Sequence, residues 1–216
     1  KRCVVTVKAR LGGAVVKDAI EVCYCYTIDA NGVVGLKFSG EPVGDWECSW
    51  PRIGVSLHLP AELDQAQWYG LGPGESYCDS KDGVRLGHWS ATVDDLFFNY
   101  VFPQENGNRT ETRWAALADP YGRGLLVTSP QLFDFSAHWY TAEDLTRADH
   151  TYDLKRRDFV TFNIDMAQTG LGSNSCGPYP WEEYILKPQK FVFEMVLVPV
   201  ALERDNPMKI ARSASC

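Results

Sequence analysis

The sequence contains no CxxC, no Gly-x-Ser-x-Gly, no His-Glu-x-x-His and no glycine loop followed by a P-loop lysine. Zinc-finger spacing, a serine-hydrolase elbow, a zinc-protease helix and a phosphate cradle are therefore absent. Gly70-Leu71-Gly72-Pro73-Gly74 is glycine-rich but stiffened by proline. No window of about eighteen apolar residues occurs, so no membrane span is expected. Helical periodicity over eleven or more residues is also missing; only Ala142 to Leu145 reads as a helical turn, with Thr141 as cap and Asp144 three residues on. Basic residues are outnumbered, 21 against 28 acidic, leaving a formal charge of −7. An acidic surface repels phosphate backbones, which argues against nucleic acid and leaves a neutral sugar, a peptide or another protein.

The seven cysteines (3, 23, 25, 48, 78, 176 and 216) are an odd set without disulfide-scaffold spacing. Cys23 and Cys25 share one face of a strand and read as small core residues. A reducing, cytoplasmic compartment is the expectation; the sequon Asn108-Arg109-Thr110 points the other way. The four histidines (58, 88, 138 and 150) are scattered, which argues against a metal centre.

Period-two alternation dominates what is present. Val5, Val7 and Ala9 alternate with Thr6, Lys8 and Arg10, and Val22, Tyr24, Tyr26 and Ile28 share a face of a second run. Asp29-Ala30-Asn31-Gly32 is turn chemistry, and Val33 to Phe38 returns as the next strand of a hairpin. Further strands are expected at 53–59, 67–69, 113–118, 125–128, 160–164 and 191–198. Hydrophobic residues make up 45% and aromatics 12% of 216 residues, enough for one large core. The pattern predicts an all-β antiparallel sandwich or barrel, with one domain over residues 1–202 and a loosely held, charged tail over 203–216. The chain opens Lys1-Arg2-Cys3 and enters a strand pattern at once, so a fragment, a processed product or a separate small subunit is expected.

Cleavage of a glycosidic bond uses two carboxyl groups about 5–5.5 Å or 6.5–9.5 Å apart. No acidic pair stands in a context that marks such a site: Asp94-Asp95 and Glu182-Glu183 are adjacent and, on strands, would face opposite ways. Two loops carry denser chemistry, Tyr100 to Arg109 and Thr169 to Trp181. Their glycines let backbone approach a ligand and their prolines fix the course. They read either as a binding surface on a rigid scaffold or as stiff connections between strands.

Three stretches carry a resemblance: Trp68-Tyr-Gly-Leu-Gly-Pro-Gly-Glu-Ser-Tyr77, Tyr100-Val-Phe-Pro-Gln-Glu-Asn-Gly-Asn-Arg109, and Asn163-Ile-Asp-Met-Ala-Gln-Thr-Gly-Leu-Gly172 with Ser175-Cys-Gly-Pro178. In order and spacing, from about Gln67 to Val198, the chain resembles the C-terminal, small-chain (domain 5) region of family 2 β-galactosidases. The resemblance implies a large two-sheet sandwich of the galactose-mutarotase-like type, truncated at its N-terminus. It implies no catalytic residue and no cofactor in this chain. The two glutamates of a retaining mechanism and the magnesium ligands would come from a catalytic barrel upstream, the chain's partner in a homo-oligomeric enzyme acting on β-D-galactosides such as lactose. This chain would supply support and one wall of the pocket. Where some members present a tryptophan to the leaving-group sugar, the matching position is Cys176, and a thiol offers far less stacking area. Trp181, five residues on, is the candidate substitute. Gln104, Glu105, Asn106 and Arg109 are expected to brace loops rather than touch substrate. A stand-alone carbohydrate-binding or mutarotase-like module, and a fragment of a separate small subunit, are the alternatives.

Overall fold

A computed structural model describes residues 1–13, 17–172 and 177–214. Among these, ten strands dominate: β1 (Arg2–Gly12), β2 (Ala19–Asp29), β3 (Val34–Val43), β4 (Arg52–Pro60), β5 (Gln65–Gly72), β6 (Arg85–Thr92), β7 (Arg109–Ala118), β8 (Arg123–His138), β9 (Phe159–Gln168) and β10 (Phe191–Ala201). The helices are short: α1 (Val93–Leu96), α2 (Ala142–Arg147) and α3 (Pro207–Ala214). No helix among the described residues is long and apolar enough to cross a membrane. The all-β antiparallel expectation holds.

Turn chemistry and alternation place most strands where the sequence predicts them. In the first hairpin Gly32 takes φ +84 and donates its N–H to the Asp29 carbonyl at 3.0 Å. That positive φ is the conformation glycine tolerates best. On β10, Phe191, Phe193 and Met195 are buried and Val192 and Glu194 exposed, the alternation of a strand with one covered face. The predicted helical turn is α2, whose capping box joins Thr141 and Asp144 reciprocally.

The layering comes from β8. Its first half, to Thr128, pairs with β10, while its second half, from Asp134 to His138, pairs with β9. One long strand thus feeds two layers: β1-β2-β3-β10 continues through β8 to β7, β5 and β6, whereas β4 and β9 form the opposing flap. The space between them holds one core, in which Phe38, Phe193 and Met195 share a cluster with Val160, Phe162 and Ile164, closed by Trp68, Phe133 and Phe135. Rings meet edge-on there: Phe38 and Phe193 at 5.7 Å, Trp68 and Phe135 at 5.7 Å. This is the geometry their quadrupoles favour.

Several expectations are corrected. Strand β6 was not predicted; it is an edge strand pairing only β5, so its polar and glycine content is tolerated there. Cys23 and Cys25 are not core residues: Val22, Tyr24 and Tyr26 take the core side of β2. The two cysteines stand half-buried on the other face, in register with Lys8 and Thr6. The stretch expected to trail loosely from residue 203 contains α3. Ala211 and Ile210 of that helix pack on Trp114, Leu126 and Val200, and the Trp114 indole N–H meets the Met208 sulfur at 3.0 Å. A short helix with one apolar stripe gains its stability from such a surface rather than from its own sequence.

Candidate functional site

The outer face of the β8–β9 layer would ordinarily face water. Instead Asp134 and Asp165, cross-strand partners in register, are 8% and 1% exposed. What covers them is a hub made by the three motifs. The segment after β5 contributes Glu75, Ser76, Tyr77 and Asp79; the loop before β7 contributes residues 100–109; the end of β9 contributes Gln168 and the turn beyond it.

The joints of the hub are specific. Ser76 donates its N–H to the Asn108 carbonyl at 2.8 Å, and the Asn108 side-chain amide donates to the Ser76 carbonyl at 2.9 Å. Gln168 Nε2 bridges Asn108 Oδ1 at 2.8 Å and Asp165 Oδ2 at 3.0 Å. Asp165 also receives both arms of the Arg52 guanidinium, one at 3.1 Å, while a third Arg52 nitrogen reaches Glu105 at 3.3 Å. Glu75 accepts the Tyr100 hydroxyl and the Gly107 N–H, the latter at 2.7 Å. Asp79 accepts the Gly172 N–H at 2.7 Å, which ties the glycine-rich turn to the same segment.

Arg109 is 3% exposed and, among the described residues, meets no carboxylate at hydrogen-bond distance. It donates to the carbonyls of Leu96 (2.9 Å), Gly107 (2.6 Å) and Pro73 (3.1 Å) and lies over the Trp68 ring at 5.5 Å. Burial draws its pKa down to about 10. Gly107 has φ +70, and a side chain there would strike the Leu96 carbonyl. Asn106 accepts the Phe98 N–H at 2.9 Å and donates to the Gln104 carbonyl at 2.9 Å. Glu105, Asn106 and Arg109 are thus engaged within the loop and its supports, as a bracing role requires, and Gln104 contributes its carbonyl while its side chain stays exposed.

Burial also governs the acids and bases. The Asp134 carboxyl is pushed up to about 7 by burial, reinforced by the Asp165 charge and opposed by hydrogen bonds from Thr110, Glu111 and Asn108. Burial lifts Glu105 as well, against the pull of Arg52. His138, 3% exposed, is lowered to about 4 by burial and by the Arg109 and Arg52 charges, opposed by the Asn106 backbone. The four histidines each meet a different ring: His58 with Phe159, His88 with Trp114, His138 with Phe97, His150 with Tyr152. Among the described residues no three His, Cys, Asp or Glu side chains are grouped to hold a metal ion.

Of the two predicted substrate-facing residues, Cys176 lies outside the described residues. Trp181 is 71% exposed, its ring stacked on Tyr184 at 6.5 Å. It sits beyond Pro180, which packs against Gly172. Asn108 of the sequon is fully buried, so the folded chain offers no glycan acceptor there. Sequence reasoning missed Arg52 and Asp134. Phe133-Asp134-Phe135 marks a strand with its phenylalanines in the core, but it turns Asp134 to the other face, so no local signal gave its burial.

The class is set by the fold: a two-layer antiparallel sandwich in which polar residues of the three motifs join its own loops. The family model described as β-galactosidase small chain matches residues 1–197, and the chain belongs to that family. Among curated relatives, β-galactosidase from Arthrobacter sp. (strain B7) is 35% identical over 71% of this chain and 16% of its own length. The enzymes from Halalkalibacterium halodurans and Kluyveromyces lactis are 33% and 34% identical, over 83% and 90% of this chain and 18% and 19% of theirs. The chain therefore spans less than a fifth of the length of these relatives. Two solved structures, a galactose mutarotase related enzyme from Lactobacillus acidophilus and an aldose epimerase homologue from C. elegans, overlay with TM-scores of 0.47 at 8% and 9% identity. They cover 91% and 92% of this chain and 68% and 66% of theirs.

Proposed function

We propose that this chain is the non-catalytic sandwich portion of a retaining β-galactosidase, giving structural support and part of the wall around the sugar. The carrying observation is the convergence of the three motifs on one rigid hub. Glu75, Asn108, Asp165 and Gln168 bond to residues of the hub itself, while Trp181 is left facing out beside the glycine-rich turn. In this reading two carboxylates and magnesium belong to the remainder of the enzyme. One carboxylate attacks the anomeric carbon of a terminal β-D-galactoside and the other protonates the departing oxygen. The chain's own contribution is steric and stacking: an exposed indole offers a face to a sugar's C–H edge, and Asp79 anchors the Gly172 turn against which Pro180 packs.

Mixing the purified chain with a β-galactosidase remainder that lacks this segment tests the reading. Restored hydrolysis of o-nitrophenyl galactoside is expected. Galactoside turnover by the isolated chain, or no gain on mixing, would overturn it. Sugar binding by the isolated chain would favour an independent carbohydrate-binding module instead.

A further inference from the structure

The loop between α1 and β7 carries three apolar side chains in the open: Phe98 at 53%, Val101 at 92% and Phe102 at 61% exposure. Exposed apolar residues on a mobile loop need no explanation, since the loop can fold them down. This loop is held at every turn. Asn106 fixes the Phe98 N–H, Glu75 fixes Tyr100 and Gly107, Arg109 fixes the carbonyls of Leu96 and Gly107, and Pro103 is buried beneath. The Phe98 and Tyr100 rings brace each other at 5.0 Å. Asn99 and Gln104, both exposed, give the tip a polar rim. A fixed backbone with an aromatic and aliphatic centre inside a polar rim is the arrangement of a binding anchor, because little ordering entropy remains to be lost.

We propose that this tip is a plug: Val101 and Phe102 insert into an apolar socket on the remainder of the β-galactosidase, outside these 216 residues. The inference rests on the reading above. Size argues for that occupant over an independent partner or a second copy. Three side chains are far short of the roughly 1,600 Å² that a free-standing specific complex buries. The tip is therefore one anchor of a wider contact, and the remainder of the enzyme offers the surface for the rest. The matched relatives devote more than four-fifths of their length to other polypeptide.

The test measures binding of the chain to the same remainder by biolayer interferometry. The Val101→Asp/Phe102→Asp variant is expected to bind about 100-fold more weakly. The control Tyr121→Asp, a 69%-exposed residue on the β7–β8 turn, is expected to stay within about threefold, as rim substitutions do. A second measurement leaves the tip apolar: an environment-sensitive fluorescent amino acid incorporated at position 101 should shift to the blue when the remainder is added. Equal binding by the double variant, or an unchanged emission spectrum while the chain binds, overturns the plug and leaves the scaffold reading intact. Failure of the unaltered chain to bind at all overturns both.

Discussion

Asp134→Asn is the most discriminating perturbation the fold offers, because two buried groups titrate against each other. Asp134 rises from an ordinary 3.8 to about 7 on folding, so between those values the folded chain holds a proton that the unfolded chain has lost. Its contribution to stability is complete below 3.8 and is lost as pH climbs through 7. His138 falls from 6.5 to about 4, so across that window the folded chain lacks a proton that the unfolded chain carries. Its contribution is complete above 6.5 and is lost as pH falls through 4. At about 1.4 kcal/mol per pH unit, the two amount to about 4 and about 3 kcal/mol in opposite directions. Between pH 4 and 6.5 their slopes cancel in the unaltered chain. Removing the carboxyl leaves the histidine alone. The Asp134→Asn variant should therefore gain stability with rising pH over that range, by about 1.4 kcal/mol per unit. Urea unfolding from pH 4.5 to 8 reads this as the difference between variant and unaltered chain, so any constant offset from altered hydrogen bonds drops out. A difference that does not change with pH would refute the reasoning.

Three further outcomes are expected. Arg109→Met keeps the apolar stem over Trp68 but orphans three carbonyls; it should cost about 3 kcal/mol, measured by urea midpoint, and a loss under 1 kcal/mol would mean the braces are dispensable. Ending the chain at Asn206 removes α3 and uncovers Trp114, so tryptophan emission should move to the red and the melting temperature should fall; an unchanged spectrum would contradict the packing of Ala211 and Met208 on that ring. Trp181→Ala in the complete enzyme should raise the lactose KM severalfold, in line with an aromatic contact of about 1 kcal/mol, and reduce transglycosylation; unchanged values would remove Trp181 from the sugar's surroundings.

Alternation and turn residues made the strands legible without coordinates. Asn31-Gly32 requires a positive φ, and Phe191-Val-Phe-Glu-Met195 can hide only one face, so both could be assigned locally. The glycine and proline motifs likewise marked which loops were special. Trp181 was named through the resemblance alone, five residues from the position where some members present a tryptophan, and its exposure is a property of the folded chain.

The burial of Asp134 and Asp165 could not be read that way. Each lies on the face of its strand that alternation assigns to water, and only the folding of three distant segments over that face excludes it. Arg52 is neutralised by residues 53 and 113 positions away, a pairing that no local pattern encodes. Helix α3 is too short to hold itself together and exists because Trp114, Leu126 and Val200 offer its apolar stripe a surface. Local sequence thus determined which segments could be strands and turns, since φ preference and side-chain alternation act within a few residues. Tertiary structure decided which charges lost their water and which apolar side chains were left in it, since desolvation depends on what the rest of the chain places nearby.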